Sequence, residues 1–294
     1  MTRMRYRTIK TAGAEIFYRE TVPEAAQSQP SILLLHGFPS SSQQYSGLMQ
    51  RLGKEFHMIA PDYPGFGQTR DLSPVSDFLF SFDNISRSIE EFIDKLGLER
   101  FVLYVFDFGA PVGFRIAARR PDLIAGIIVQ NANAYAAGLS DAARHLVSIQ
   151  KHDEAGRKEL DGLLTLEGTR FQYFTGVADP EAISPDGYNL DQCYLDLPGR
   201  KANLIELLLD YKSNVESYPT WQEWFRLASP PAQILWGRKD PLFLEAGALA
   251  YLKDLPNAEL HLFDTGHFAL EECLDAIAPL VAGFANRLAK SVTV

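Results

Sequence analysis

The chain of 294 residues has little cysteine, no long hydrophobic run and no excess of positive charge. Its two cysteines, Cys193 and Cys273, match no metal-ligand spacing and are too few for a disulfide framework. We therefore predict that both are packing residues in a reducing compartment, the cytoplasm. The sequence also shows no pattern typical of a bound metal or another cofactor, and we expect none.

Membrane and nucleic-acid partners are disfavoured by the same features. No uncharged apolar stretch reaches the length that spans a bilayer, and no apolar segment of a secretory signal follows the basic residues in MTRMRYRTIK (1–10). The net charge of -9 and the pI near 5.2 argue against a nucleic-acid surface, which needs clustered basic residues. They also argue against electrostatic capture by an anionic membrane. We predict a cytoplasmic protein with neither partner.

Short apolar runs alternate with helical patterns over most of the chain. The N-terminal segment predicts an antiparallel hairpin with Gly13 in its turn. Further strands are predicted at 31–37, 57–62, 101–107, 123–132, 233–240 and 259–265. Helices are predicted around 41–53, 82–97 and 109–120, and again between the last two strands. This alternation predicts an α/β fold, with a mostly parallel eight-stranded sheet covered by helices on both faces.

Residues 135 to about 219 interrupt the alternation. They contain no clear strand, and turn signals divide them at DP, SPDG and LPG. We predict that 135–219 form a helical cap inserted between two parts of the core, 1–134 and 220–294. Ligands of open α/β sheets bind at the carboxyl ends of the strands, so a cap there would cover the site and exclude water.

An aspartate stands between a buried strand and a helix in FVLYVFDFGAPVGFRIAARRP (101–121). Asp107 could simply cap the helix, because its carboxylate can accept hydrogen bonds from the first turn. Other predicted strands, however, also end in polar residues. These are His36, Asp62, Asn131, Asp240 and His267. The carboxyl ends of parallel strands meet at one edge of a sheet, so the pattern favours a catalytic site over a cap.

The chain order of these residues resembles the α/β-hydrolase fold family, in which nucleophile, acid and histidine follow one another. The nucleophile turn of that family corresponds to VFDFG (105–109), where Gly109 fits and Val105 is bulkier than the usual glycine. HGFP (36–39) resembles the oxyanion loop of the family. GRKDP (237–241) and DTGHFALEE (264–272) resemble the acid and histidine loops.

An aspartate at the nucleophile position resembles the epoxide hydrolase and haloalkane dehalogenase branch. The resemblance implies that Asp107 attacks an sp³ carbon and forms an alkyl ester. His267 would then activate water, and Asp240 would orient the imidazole. Backbone N–H groups of Phe38 and Phe108 would form the oxyanion hole.

The same strand ends supply candidates for the substrate pocket, which we expect to take a small hydrophobic organic molecule. His36, Pro39 and Asn131 are placed beside it, with His36 organising its loop rather than acting as a base. Asn131 follows the sixth strand, the rival position for the catalytic acid. Because it carries no charge, Asp240 is favoured as that acid.

The leaving group separates the two activities. Haloalkane dehalogenases usually hold the halide with a tryptophan after the nucleophile and an Asn or second Trp, whereas haloacetate dehalogenases place an arginine after the nucleophile. This chain has Phe108 after the nucleophile and Phe38 in the oxyanion loop, and Phe108 also departs from epoxide hydrolases.

Epoxide hydrolases donate hydrogen bonds to the epoxide from cap tyrosines. LLDYKSNVESY (208–218) resembles one such region and implies Tyr211. TRFQYFTGVADP (169–180) resembles the other, with Tyr173 or Phe171 matching and core packing as an equal alternative for Tyr173. We predict epoxide hydrolysis. Haloalkane or haloacid dehalogenation, a non-catalytic binding protein and a non-hydrolytic enzyme are the alternatives, and the sequence leaves monomer or homodimer open.

Overall fold

The computed structural model describes residues 2–23, 29–71 and 78–290, and its strands form one nine-stranded sheet. The strand order is β1-β2-β4-β3-β6-β7-β8-β9, with β5 beside β2. The strands are β1 Arg3–Lys10, β2 Ala14–Val22, β3 Ser31–Leu35, β4 Met58–Pro61, β5 Arg70–Asp71, β6 Phe101–Phe106, β7 Ile124–Gln130, β8 Ala232–Gly237 and β9 Glu259–Phe263.

The pairing confirms the predicted fold with one addition. β2 pairs antiparallel with β1, β4 and β5, and the remaining neighbours are parallel. The predicted eight strands are therefore joined by a ninth, β5. It has two residues and cannot show the alternation of polar and apolar side chains by which a strand is predicted.

The central strands are buried on both faces, as expected of a parallel sheet between helices. Every residue of β6 is buried, and alternate side chains enter different cores. Leu103 and Val105 belong to one apolar cluster, and Val102 and Tyr104 belong to the other. The period of two along the strand therefore divides a continuous apolar run between two helical layers.

Five helices supply those two layers. They are α1 Ser46–Leu52, α2 Phe82–Leu96, α3 Gly109–Arg119, α10 Glu245–Asp254 and α11 Ala269–Lys290. α2 begins after Ser81, whose hydroxyl accepts from the Asn84 N–H, and ends at Gly97, which has a φ of +67°. α2, α3 and α10 pack with the cluster of Leu103, while α1 and α11 pack with that of Tyr104.

Between β7 and β8 the chain, which is described throughout this stretch, forms helices and no strand. These helices are α4 Asp141–Ser148, α5 Glu154–Leu163, α6 Leu166–Phe174, α7 Pro185–Leu195, α8 Arg200–Leu209 and α9 Tyr211–Ala228. α9 continues beyond the predicted boundary at 219 and through Pro219. Trp221 and Phe225 extend it because their rings pack on Phe114 of α3, at 5.7 and 5.1 Å between centroids.

The two cysteines occupy different environments. Cys193 is exposed on α7, so its prediction as a packing residue is wrong, whereas Cys273 is partly buried in α11. Both thiols are free. In the described residues we find no helix with the length and hydropathy needed to cross a bilayer.

Candidate active site

Asp107 occupies a strained turn between β6 and α3. Its φ of +47° lies in the left-handed region that residues with a side chain rarely adopt. Its carboxylate does not cap α3, whose N-cap is Phe108 with no side-chain cap bond. Instead, Asp107 Oδ1 accepts a hydrogen bond of 2.7 Å from the backbone N–H of Phe38 in the loop after β3. The turn therefore directs the carboxylate toward the edge of the sheet.

Two glycines of α3 allow this turn to pack closely against the sheet. A Cβ atom at Gly109 would lie 2.1 Å from the carbonyl oxygen of Leu35 at the end of β3. At Gly113, a Cβ would lie 2.8 Å from Val105 Cγ1. Val105, the bulky residue in the nucleophile turn, is therefore accommodated by a glycine one turn into α3.

His267 and Asp240 lie beside Asp107, in the loops after β9 and β8. His267 Nδ1 donates to Asp240 Oδ2 over 2.6 Å. Its other nitrogen, Nε2, is 3.8 Å from Asp107 Oδ2. That distance is too long for a direct hydrogen bond. The fully buried imidazole therefore lies between the two carboxylates, as the chain order of the residues predicts.

Asp240 is held rigidly by its surroundings. Its Oδ1 accepts the backbone N–H groups of Leu242 and Phe243 at 2.8 and 2.9 Å. Asn131 Nδ2 donates to Asp240 Oδ2 at 2.8 Å, the same oxygen that accepts from His267. Asn131 does not line the substrate cavity, contrary to the prediction, because its amide is used to position the acid.

Burial raises the pKa of Asp107 to about 6, against the opposing attraction of His267 and the N–H groups of Phe38 and Phe108. Burial opposes the charged form of His267 as well. The charge and hydrogen bond of Asp240, together with the charge of Asp107, nevertheless raise the pKa of His267 above its usual value. The two groups therefore favour the ion pair between Asp107 and His267 near neutral pH.

A cavity of about 70 Å³ opens onto Asp107. Among the described residues that line it, Asp107, Gln172 and Tyr211 have polar side chains and the others are apolar. The apolar lining consists of Phe38, Phe108, Leu139, Ala143, Leu146, Val147, Leu160, Leu163, Leu208, Leu242 and Phe243. Such a site suits a small apolar molecule that a few polar groups orient.

Tyr211 enters this cavity from the first residue of α9. Burial, with the neighbouring Tyr218 and Asp107, raises its pKa well above the usual value, so the phenol is neutral and can donate a hydrogen bond. The start of α9 is tied to the core by Arg115 of α3. Its guanidinium donates to Asn214 Oδ1 at 2.7 Å and to Ser213 Oγ at 2.9 Å.

Tyr173, in contrast, does not line the cavity. Its hydroxyl donates to Asp191 Oδ2 at 2.6 Å, and its ring stacks on Phe268 with centroids 4.0 Å apart. Its neighbour Gln172 lines the cavity instead. The prediction of Tyr173 as a second proton donor is therefore corrected: the structure gives this side chain a packing role.

The prediction that His36 and Pro39 line the substrate pocket is also corrected, because both residues are buried outside the cavity. His36 stacks on Tyr63 at 4.0 Å, accepts the Tyr63 N–H at Nε2 and contacts the Gly37 carbonyl through Nδ1. Burial lowers its pKa to about 4. Neutral His36 therefore organises the loop after β3. The described residues contain no group of three or more metal-ligating side chains arranged around one point.

Comparisons with known proteins identify the family. Residues 30–167 match the family model described as the alpha/beta hydrolase fold. An uncharacterized hydrolase from Saccharomyces cerevisiae is 40% identical over 271 residues, which cover 90% of this chain and 91% of that protein. The chain belongs to the α/β-hydrolase fold family. The predicted family, fold and enzyme class are thereby confirmed.

Haloalkane dehalogenases are among the relatives of this α/β-hydrolase. One from Bradyrhizobium diazoefficiens is 36% identical over 115 residues, covering 39% of this chain and 35% of that protein. The crystal structure of a haloalkane dehalogenase from Bradyrhizobium elkani shares the fold at 22% identity, with a TM-score of 0.78 and coverage of 98% of this chain and 100% of that one.

Proposed function

We propose that this α/β-hydrolase converts epoxides to vicinal diols through an alkyl ester of Asp107. The observation that supports the proposal is the set of side chains that line the cavity. A buried carboxylate, Asp107, and the neutral phenol of Tyr211 lie there among mostly apolar side chains. A carboxylate attacks an sp³ carbon without the help of a base, and a phenol can donate a proton to the alkoxide that leaves.

In the first step an oxygen of Asp107 bonds to one epoxide carbon while the bond from that carbon to the ring oxygen breaks. The electron pair remains on the oxygen, which takes the proton of Tyr211. The apolar lining keeps bulk water away from the carboxylate, so the attacking oxygen is weakly hydrated. The products are a neutral ester and a tyrosinate.

In the second step His267 Nε2 removes a proton from water, and the hydroxide attacks the ester carbonyl. The N–H groups of Phe38 and Phe108, which already hold the Asp107 carboxylate, would stabilise the oxyanion. Ester formation beforehand removes the Asp107 charge that raises the pKa of His267, so the imidazolium gives its proton to the Tyr211 tyrosinate and the neutral imidazole can act as the base. Collapse releases the diol and restores the ion pair of Asp107 and protonated His267.

We propose that the helices between β7 and β8 act as a cap that excludes water from this chemistry. Cavity residues come from α4, α5, α6, α8 and α9, whereas Asp107 and Phe108 follow β6 in the core. The proposed units are 1–134 and 220–294 for the core and 135–219 for the cap, with α9 crossing the second boundary. The cytoplasmic location and the choice between monomer and homodimer stay predictions.

Haloalkane dehalogenation is the second candidate, favoured by the relatives that carry this name. Both reactions would use Asp107 and His267. They differ in the leaving group, and the side chains of Phe38 and Phe108 offer a halide no N–H or O–H donor. Incubating the enzyme with alkyl and aryl epoxides and with haloalkanes, followed by diol and halide assays, separates the two. Diol without halide release supports the epoxide proposal, and halide release without diol contradicts it.

Replacing Tyr211 by Phe is expected to lower kcat/KM for an epoxide on the order of 10²-fold, because the developing alkoxide loses a donor. Tyr173→Phe is the matched comparison, since its hydroxyl is bonded to Asp191 outside the cavity. We expect a much smaller change in kcat/KM from it. An unchanged kcat/KM in Tyr211→Phe would remove the phenol from the mechanism.

The rate of ester formation is expected to fall at low pH, because only the ionised Asp107 attacks. With a pKa of about 6, the rate should drop close to tenfold for each pH unit below that value. Single-turnover experiments from about pH 4.5 to about pH 8, in steps of about half a unit, would measure it, because one pH unit is a tenfold step in proton concentration. A rate that stays constant down to pH 5 would contradict the raised pKa.

A further inference from the structure

Gln172 is the other polar side chain that the cap places in the cavity. It lies on α6, is 2% exposed and lines the same cavity as Asp107 and Tyr211. Its amide nitrogen, Nε2, is buried and has no hydrogen-bond partner among the described residues. A buried N–H donor without a partner destabilises the folded protein, and native structures contain few of them.

A second buried glutamine of the cap shows the usual arrangement. Gln192 of α7 donates from Nε2 to the Leu164 carbonyl at 3.3 Å and to Asp196 Oδ1 at 3.0 Å. Its Oε1 accepts from the Thr169 hydroxyl at 3.1 Å. The fold can therefore pair a buried amide in this part of the cap, and Gln172 differs because its Nε2 has no such partner although the residue lines the cavity.

We infer that Gln172 is a second hydrogen-bond donor to the epoxide oxygen, alongside Tyr211; this inference rests on the proposed function. An epoxide oxygen has two lone pairs and can accept from both side chains. As the carbon–oxygen bond breaks, negative charge accumulates on that oxygen, so a donor fixed in an apolar cavity stabilises the transition state more than the ground state. The amide supplies no proton, and Tyr211 remains the group that gives one up.

The same cavity defines the class of epoxide. Once the ring oxygen is held by Gln172 and Tyr211, and a ring carbon faces Asp107, the remaining contacts are with apolar side chains. A charged substituent would be buried there without a partner, at a high cost in free energy. The structure therefore points to epoxides with small alkyl or aryl substituents.

The test replaces Gln172 by Met, which has a similar length and no N–H donor. In the His267→Gln background, where the ester should accumulate, the rate of Asp107 alkylation by an aryl epoxide is followed by mass spectrometry. We expect Gln172→Met to slow alkylation on the order of 10²-fold. The melting temperature should be equal or higher, because the substitution removes an unpaired buried amide.

Gln192→Met is the matched control. It breaks the hydrogen bonds to Leu164 and Asp196, so we expect a lower melting temperature. The alkylation rate should stay within about threefold of the His267→Gln parent, which is roughly 0.7 kcal/mol in activation free energy. If Gln172→Met alkylates at the parent rate, or loses rate only in proportion to lost stability, Gln172 is not a donor to substrate, although the ester mechanism stands. Absence of ester in the His267→Gln parent would instead defeat the proposed function, and the inference with it.

Discussion

Replacing Asp107 by Asn is expected to abolish turnover, with a loss on the order of 10⁴-fold or more. The amide has the same shape and its oxygen can still accept the Phe38 N–H, so the turn should be preserved. It carries no negative charge, however, and cannot attack an sp³ carbon. The rate of diol formation from an epoxide that the parent enzyme converts would measure the effect. Asp122→Asn, at an exposed position, is the control and should keep the parent rate.

The same substitution is expected to stabilise the fold at neutral pH. Burial raises the pKa of Asp107 from 3.8 to about 6, so the ionised carboxylate destabilises the native state on the order of 3 kcal/mol. That cost develops as the pH rises from about 4, where the unfolded carboxyl ionises, to about 6, and it persists above. Asn avoids it. Thermal unfolding should show Asp107→Asn above the parent at pH 7 and equal to it near pH 4.

A variant that loses both activity and stability at pH 7 would contradict this account, because it would make Asp107 a structural residue. An active and stabilised variant would contradict it in a different way, since the carboxylate would then be unnecessary for turnover. Only a stable and inactive variant agrees with a nucleophile whose buried, ionised carboxylate destabilises the native state.

Replacing His267 by Gln is expected to lower steady-state turnover on the order of 10³-fold or more, by stopping the second step alone. Gln can hydrogen-bond to Asp240 but cannot take a proton from water. The first step needs no base, so about one equivalent of epoxide per enzyme (one ester forms per Asp107) should be consumed, without release of diol, before the reaction stops. His152→Gln, at an exposed position between β7 and β8, serves as control and should show neither effect.

The positions of the central residues follow from the sequence because parallel strands end at one edge of a sheet. Asp107, Asp240 and His267 are far apart in the chain, yet each follows a predicted strand, and the fold brings them together. The contact of Asn131 with Asp240 could not be predicted in this way. It depends on how two loops pack across the ends of β7 and β8, and no pattern in either loop specifies it.

The helices between β7 and β8 illustrate the limit of pattern analysis. Successive residues of a helix are 100° apart, so Phe171, Gln172 and Tyr173 of α6 face three directions. Phe171 is 45% exposed, Gln172 enters the cavity and Tyr173 packs on Phe268. Resemblance to a family motif identifies the segment, but a shift of one residue in the alignment changes which side chain lines the cavity.

The most direct test of the central claim is the mass of the peptide that contains Asp107, measured after His267→Gln is incubated with an epoxide that the parent enzyme converts. Nucleophilic attack predicts an adduct on Asp107 that carries the full mass of the epoxide, because ring opening expels no atom. A haloalkane that alkylates the same residue would add only its alkyl group. An unmodified Asp107, or an adduct on another residue while the parent converts that same epoxide, would contradict the mechanism.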